Sequence, residues 1–204
     1  MTAVIKERAA SSATESIPAT KPVLVILAGA PGAGKNTLYE AKLKTVFPTR
    51  IKASSSPLDH AEAQQERLRL LEEHQSFSYQ DSTVDPKILR EARKAGFGVK
   101  VIYLATESPN LNIGRVLLRV GQGGPFAPLS RVSELHANGI AQLPEIRKLA
   151  DDLMLFDNTA HGRGVRLVAH FRQGKLVKLA RAIPEWTRKV FGKEFDKWSN
   201  TSSR

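Results

Sequence analysis

Val23 to Leu38 reads VLVILAGAPGAGKNTL. Val23 to Ala28 is an unbroken apolar run, largely β-branched. Such a run predicts a strand buried on both faces of a parallel sheet. Gly29 to Gly34 is a glycine-rich turn, and a helix is predicted from about Lys35 to Val46, ended at Phe47-Pro48. The turn and Lys35 together fit Gly-x-x-x-x-Gly-Lys, set between a strand and a helix. Glycines let a loop wrap with its N–H groups pointing inward, and the helix adds its N-terminal partial positive charge. A lysine at the loop's end contributes a full positive charge. The stretch therefore predicts a phosphate cradle made by Gly29, Ala30, Pro31, Gly32, Ala33, Gly34, Lys35, Asn36 and Thr37.

Outward from this loop, strands and helices alternate. Val99 to Ala105 and Asp152 to Phe156 are further buried-strand candidates, with weaker ones at Arg50 to Ala53 and Phe77 to Tyr79. Helices are predicted at His60 to His74 (polar and exposed), Pro86 to Ala95 and Asn110 to Val120. Another runs from Arg131 to Ala150 with a break at Pro144, and a last short one from Pro184 to Phe191. Val165 to Phe171 and Lys175 to Leu179 flank Gln173-Gly174 and predict a C-terminal β-hairpin. The order implies an α/β fold: a parallel sheet with helices on both faces. Residues 1–21 read as a disordered arm, 22–191 as one domain and 192–204 as a basic tail.

The chain has 204 residues, 41% of them hydrophobic, so one sizeable core is possible. No apolar run approaches the roughly 20 residues that span a bilayer. Cysteine is absent, which excludes a disulfide framework or thiolate metal site and suits a reducing cytoplasm. Net charge is +11, and His161 to Arg204 holds 11 Lys/Arg against 3 Asp/Glu. A basic end of this kind attracts phosphates, nucleic acid, anionic lipid or an acidic protein, or is simply solvated. No RNA-reading aromatic motif accompanies it. The five histidines have no metal-ligand spacing, and Trp186 and Trp198 read as packing residues. Arg115 and Arg119 are four apart on one helix face, just before the Gly/Pro-rich loop Gly121 to Ser130.

The motif order resembles the zeta-toxin family of P-loop kinases, particularly its short bacterial members. The matching pieces are VILAGAPGAGKNTL, SFSYQDST, AGFGVKVIYLATESPNLNIGRVLLRVGQGG, LADDLMLFDNT, and RLVAHFRQGKLVKL with PEW. They extend from about Val23 to Trp186. The resemblance implies a P-loop kinase fold and transfer of the ATP γ-phosphate to a hydroxyl of a small acceptor, such as the sugar of UDP-N-acetylglucosamine. It also implies Mg²⁺, a cytoplasmic bacterial setting and an antitoxin-like protein partner. Lys35 would bind phosphate, and Arg119, with Arg115 beside it, would act in a loop that closes over the γ-phosphate.

Several family positions are changed. Asn36 stands where a Ser or Thr hydroxyl would meet Mg²⁺, so an amide oxygen is the expected metal ligand. Ser54 falls at the place of the general-base Asp, and Gln80-Asp81 at that of a Glu-Thr pair. Pro125 replaces a His, and Ser133-Glu134-Leu135-His136 an Arg-rich stretch. Three readings follow. The chain is a kinase with a changed acceptor, in which Asp81, Asp59 or Asp85 replaces the base. Or it is a degenerate relative that binds nucleotide without fast turnover. Or it binds nucleic acid or a membrane surface through its basic end.

Overall fold

The computed structural model describes residues 21–44, 50–51, 57–160 and 164–202. Residues 1–20 of the expected arm (1–21), Lys52 to Ala53 of the expected second strand, and Ser54 lie outside the described residues. Seven strands form one sheet in the order β2-β3-β1-β4-β5-β6-β7. They are β1 (Val23–Ala28), β2 (Arg50–Ile51), β3 (Phe77–Asp81), β4 (Gly98–Ala105), β5 (Asp152–Asp157), β6 (Arg166–Arg172) and β7 (Lys175–Leu179). The first five in space are parallel; β5–β6 and β6–β7 pair antiparallel. Gln173 (φ 48°) and Gly174 (φ 71°) make the hairpin turn, both left-handed as the twist of paired strands demands.

Period-two alternation along β1 divides the core. Leu24, Ile26 and Ala28 face the larger side. There they join residues of α2 (Pro57–Glu72), α3 (Pro86–Lys94), α6 (Leu143–Leu149) and α7 (Glu185–Ser202). Val25 and Leu27 face a smaller cluster with Ala33, Leu38, Tyr39, Ile102 and Leu104. That cluster is roofed by α1 (Lys35–Leu38), which continues as one π-helical stretch through Tyr39–Leu43. Helices thus cover both faces, unequally.

The remaining helices, α4 (Pro109–Gly121) and α5 (Leu129–Ala141), follow β4. Ser108 caps α4 by accepting from the Asn110 amide at 3.2 Å, with Pro109 at the first turn. The expected break near Pro144 falls at Gln142, because that proline begins α6.

Two expectations are corrected. Helix α2 is not an exposed helix: Ala63, Leu70 and Leu71 are buried, while Arg69 pairs outward with Glu66 (2.7 Å) and Glu73 (2.6 Å). The terminal helix does not stop at Phe191 but kinks there (φ −126°) and continues to Ser202. Phe195, 1% exposed, packs with Phe191 and Phe171, at about 1.5–3 kcal/mol for each such buried side chain. Most of the expected tail is therefore a packed helix.

β1 and β4 are neighbours, and the chain leaves them toward opposite ends of the sheet, to β2 and to β5. Such a divergence opens a crevice at the strands' carboxyl ends. The glycine loop and α4 enclose it.

Candidate functional site

The loop after β1 is shaped by its glycines. Gly32 has φ 80° and Gly34 φ 100°, both left-handed. A Cβ on Gly32 would collide with the backbone of Asn112 on α4, and one on Gly34 with the Asn158 amide. Inside the turn, the Ala33 amide donates to the Ala30 carbonyl at 3.1 Å. No side chain caps α1 at Gly34.

Lys35 folds back into this loop. Its Nζ donates to the Gly29 carbonyl at 2.5 Å and to the Ala30 carbonyl at 3.3 Å. Burial lowers its pKa from 10.5 to about 8; the Asp81 carboxylate opposes this and the Arg119 guanidinium adds to it. Lys35, Asp81 and Arg119 therefore share one electrostatic neighbourhood.

The two arginines of α4 do different things. Arg115 braces the loop from outside, donating from Nη2 to the Asn158 carbonyl at 2.8 Å and from Nη1 to the Gly32 carbonyl at 3.5 Å. Asn158 completes the brace by donating from Nδ2 to the Ala33 carbonyl at 2.8 Å. Arg119 serves the loop after α4 instead. Its Nη2 donates to the Pro125 carbonyl at 2.8 Å, its stem lies against Gly124, and its buried Nε has no partner.

Strand alternation sends Gln80 and Asp81 opposite ways. Asp81 pairs with Ala28, the residue before the glycine loop, and its Oδ1 accepts from the Ser82 amide at 2.6 Å. Gln80 is 6% exposed, and its Nε2 has no hydrogen-bond partner. It lines a cleft with Val25, Leu27, Tyr39, Leu43 and Ser78. The other base candidates do not join the site. Asp85 caps α3 by accepting from the Lys87 amide at 2.8 Å, and the side chain of Asp59 lies outside the described residues.

Asn36 and Thr37 are both exposed on the first turn of α1. Among the described residues there is no cluster of three or more His, Cys, Asp or Glu able to hold a metal ion. Any divalent cation here would rest on an amide oxygen, phosphate oxygens and water.

Sequence reasoning missed the supports. Thr106, at the end of β4, donates from Oγ1 to Asn112 Oδ1 at 2.6 Å, and its carbonyl accepts from His136 Nε2 at 2.9 Å. All three are buried and tie β4 to α4 and α5. Glu107 accepts from the Glu185 and Trp186 amides, each at 3.1 Å, and so caps α7. Trp186, 2% exposed, donates from Nε1 to Asp157 at 3.2 Å, consistent with a packing role. The signal for Asn158 was present in the Asp-Asn-Thr that closes β5, where a polar triplet ends a buried strand.

No protein-family model matches the chain. No curated protein matches it either. Solved structures do. The native AvrRxo1-ORF1:-ORF2 complex aligns with TM-score 0.60 at 16% identity, over 83% of this chain and 63% of that one. The PezAT chromosomal toxin–antitoxin system of Streptococcus pneumoniae aligns with TM-score 0.57 at 14% identity, over 94% of this chain and 92% of that one. The AvrRxo1-ORF1:AvrRxo1-ORF2 structure with ATP aligns with TM-score 0.56 at 15% identity, over 85% and 63%. This chain spans less than two thirds of the AvrRxo1 chains it matches. At these identities the likeness is one of fold: α/β, shared with a chain of a toxin–antitoxin system and with the AvrRxo1 chains.

Proposed function

We propose that this chain is a toxin-like, zeta-toxin-related phosphotransferase that moves the γ-phosphoryl of ATP to a hydroxyl of a small molecule. The observation that carries the reading is the Lys35 ammonium held inside a glycine loop by the Gly29 and Ala30 carbonyls, with Asp81 and Arg119 near enough to act on its charge. The loop suits a triphosphate: its glycines stand where any Cβ would collide with the walls, and Lys35 supplies a cation inside it, with Arg119 near enough to act on that charge. The fold likeness to a structure that holds ATP supports the same ligand.

Gly29 to Thr37 would hold the phosphates, with Asn36 giving an oxygen to Mg²⁺ and Arg115 keeping the loop in shape. ATP supplies the transferable phosphoryl group. Lys35 exchanges its two carbonyl partners for phosphate oxygens and offsets charge on the transferring group. Arg119 offsets the same charge from the α4 side. Asp81 takes the proton of the acceptor hydroxyl. Phosphoryl transfer depends mostly on positioning and charge, so a displaced base is sufficient. A protein partner of the antitoxin kind belongs to this reading, and the fold it shares with a chain of the PezAT toxin–antitoxin system and with a chain of the AvrRxo1-ORF1:-ORF2 complex supports it.

Phosphorus NMR with Mg²⁺-ATP and a panel of hydroxyl acceptors, UDP-N-acetylglucosamine first, tests it. A new phosphomonoester that disappears in Lys35→Ala is the expected result. One observation favours a second reading, a nucleotide-binding regulator without turnover: Gln80 places a neutral amide where the resemblance implies a carboxylate. That reading predicts a melting temperature raised by ATP and no phosphate transfer to any acceptor.

A further inference from the structure

The end of β3 holds an arginine that the proposed transfer leaves unused. Arg67, on α2, lies over the Tyr79 ring with its guanidinium carbon 4.0 Å from the centroid. Its Nε and Nη2 are buried and have no hydrogen-bond partner. A guanidinium carries five donors in a planar fork, and burying two nitrogens unpaired is unfavourable unless something completes them. Arg119 and Arg147 also bury one unpartnered Nε, but each has a partner at another nitrogen, whereas two nitrogens of Arg67 are left over. Arg69 holds Glu66 and Glu73, Arg90 holds Glu145, and Arg147 holds Glu194.

Position gives the unpaired fork its meaning. Tyr79 and Asp81 are two apart on β3, so both point to the same face, about 7 Å apart along the strand. Asp81 faces Ala28, where the glycine loop begins. Two carboxylates lie close by, but neither pairs with Arg67: Asp81 accepts from the Ser82 amide and Asp85 caps α3. Burial raises the pKa of the Tyr79 hydroxyl; the Arg67 charge opposes that, and Asp81 and Asp85 add to it. All three charges therefore act at this one ring.

We propose that Arg67 is the anion-recognising fork of the acceptor site, so that the acceptor carries a carboxylate or phosphate about one strand repeat from the hydroxyl that Asp81 deprotonates. A planar fork matches either anion bidentately. The Tyr79 ring backs the guanidinium, 4.0 Å from its carbon to the ring centroid. Arg67 is a specificity residue for the acceptor and takes no part in holding ATP. The inference rests on the phosphotransfer reading for the word acceptor, but the anion site can be tested without it.

The test has two arms. In the first, the protein is saturated with Mg²⁺ and a non-hydrolysable ATP analogue, so that the glycine loop is filled. Inorganic phosphate is then titrated while the Arg67 Nε–H resonance is followed by NMR, with Arg67→Gln giving the assignment. A saturable shift of that resonance is expected, and an unmoved resonance overturns the proposal. In the second arm, acceptors are compared as neutral and phosphorylated pairs, such as glycerol and glycerol 3-phosphate. Arg67→Gln should raise KM for the anionic member roughly 10- to 100-fold with kcat nearly unchanged. Arg67→Lys should recover part of the loss, and an unchanged melting temperature excludes a folding defect. A shifted resonance with no transfer to any acceptor keeps the anion site and removes the phosphotransfer reading. Transfer to neutral acceptors that ignores Arg67→Gln, with an unmoved resonance, does the reverse.

Discussion

The two sides of the crevice are finished to different degrees. On the β1–β4 side, the carbonyls of Gly29, Ala30, Gly32 and Ala33 all meet donors from Lys35, Arg115 or Asn158. On the β3 side, Gln80 Nε2 and two nitrogens of Arg67 are buried without partners. The first side is a network that holds a backbone shape, and backbone shape is what binds phosphates; its unpartnered donors, Asn112 Nδ2 and Arg119 Nε, lie on α4 rather than in the loop. On the β3 side the unspent donors stand on opposite faces of the strand, Arg67 over Tyr79 on the face that Asp81 shares and Gln80 in the cleft behind it. On the proposed reading, the contrast means that the nucleotide half is built in advance and that an acceptor completes the Arg67–Tyr79 face.

The largest effect should come from Lys35→Ala, which removes the charge at the centre of the finished side. Transfer should fall by about 10²–10³-fold or more, read by phosphorus NMR, with little change in melting temperature. Gly32→Ala comes next. It puts a side chain at φ 80° and against the Asn112 backbone, at a cost of about 1–3 kcal/mol. Thermal unfolding should show the loss, and ATP should no longer raise the melting temperature. Asn158→Ala removes one support at 2.8 Å from the Ala33 carbonyl, and should cost about 1 kcal/mol of stability with a matching drop in ATP affinity. On the unfinished side the sign reverses. Gln80→Leu removes a buried amide whose nitrogen has no partner, so the free protein should be as stable or slightly more stable in thermal unfolding. A destabilised Gln80→Leu protein would show that both sides are equally finished.

What was legible in the sequence follows the same line. The run from Val23 to Leu38 announced strand, loop and helix because each signal is local: β-branched residues, glycines with forced φ, then a helix start. Val99 to Ala105 and the hairpin at Gln173-Gly174 were readable for the same reason. Phe195 was harder. Lys193, Lys197 and Gly192 made residues 192–204 look like a charged tail. The i,i+4 pair Phe191 and Phe195 is an apolar signal, but its meaning depends on Phe171, distant in sequence and close in space. The opposite directions of Gln80 and Asp81 could be derived from strand period alone. Arg67 could not, since its ring partner Tyr79 lies on another element and nothing in the spacing joins them. Likewise Asn158 reaches the glycine loop across 125 residues. Motifs write down the backbone chemistry, while side-chain chemistry between elements appears only once the chain has folded.

The central claim is that the buried Lys35 ammonium receives the phosphates of ATP. Burial holds its pKa near 8 in the free protein, below its ordinary 10.5, so its charge is lost as pH rises through 8. The penalty of burying that charge is present below pH 8 and is relieved between about 8 and 10.5, so the free protein should gain stability across that window. A bound triphosphate restores the charge. Calorimetric titration of Mg²⁺-ATP at pH 9, in two buffers of different ionisation enthalpy, should therefore show proton uptake on binding by the native chain. In Lys35→Ala, both the uptake and most of the affinity should vanish. Equal affinity in the two proteins, or binding without proton uptake in the native chain, would contradict the account.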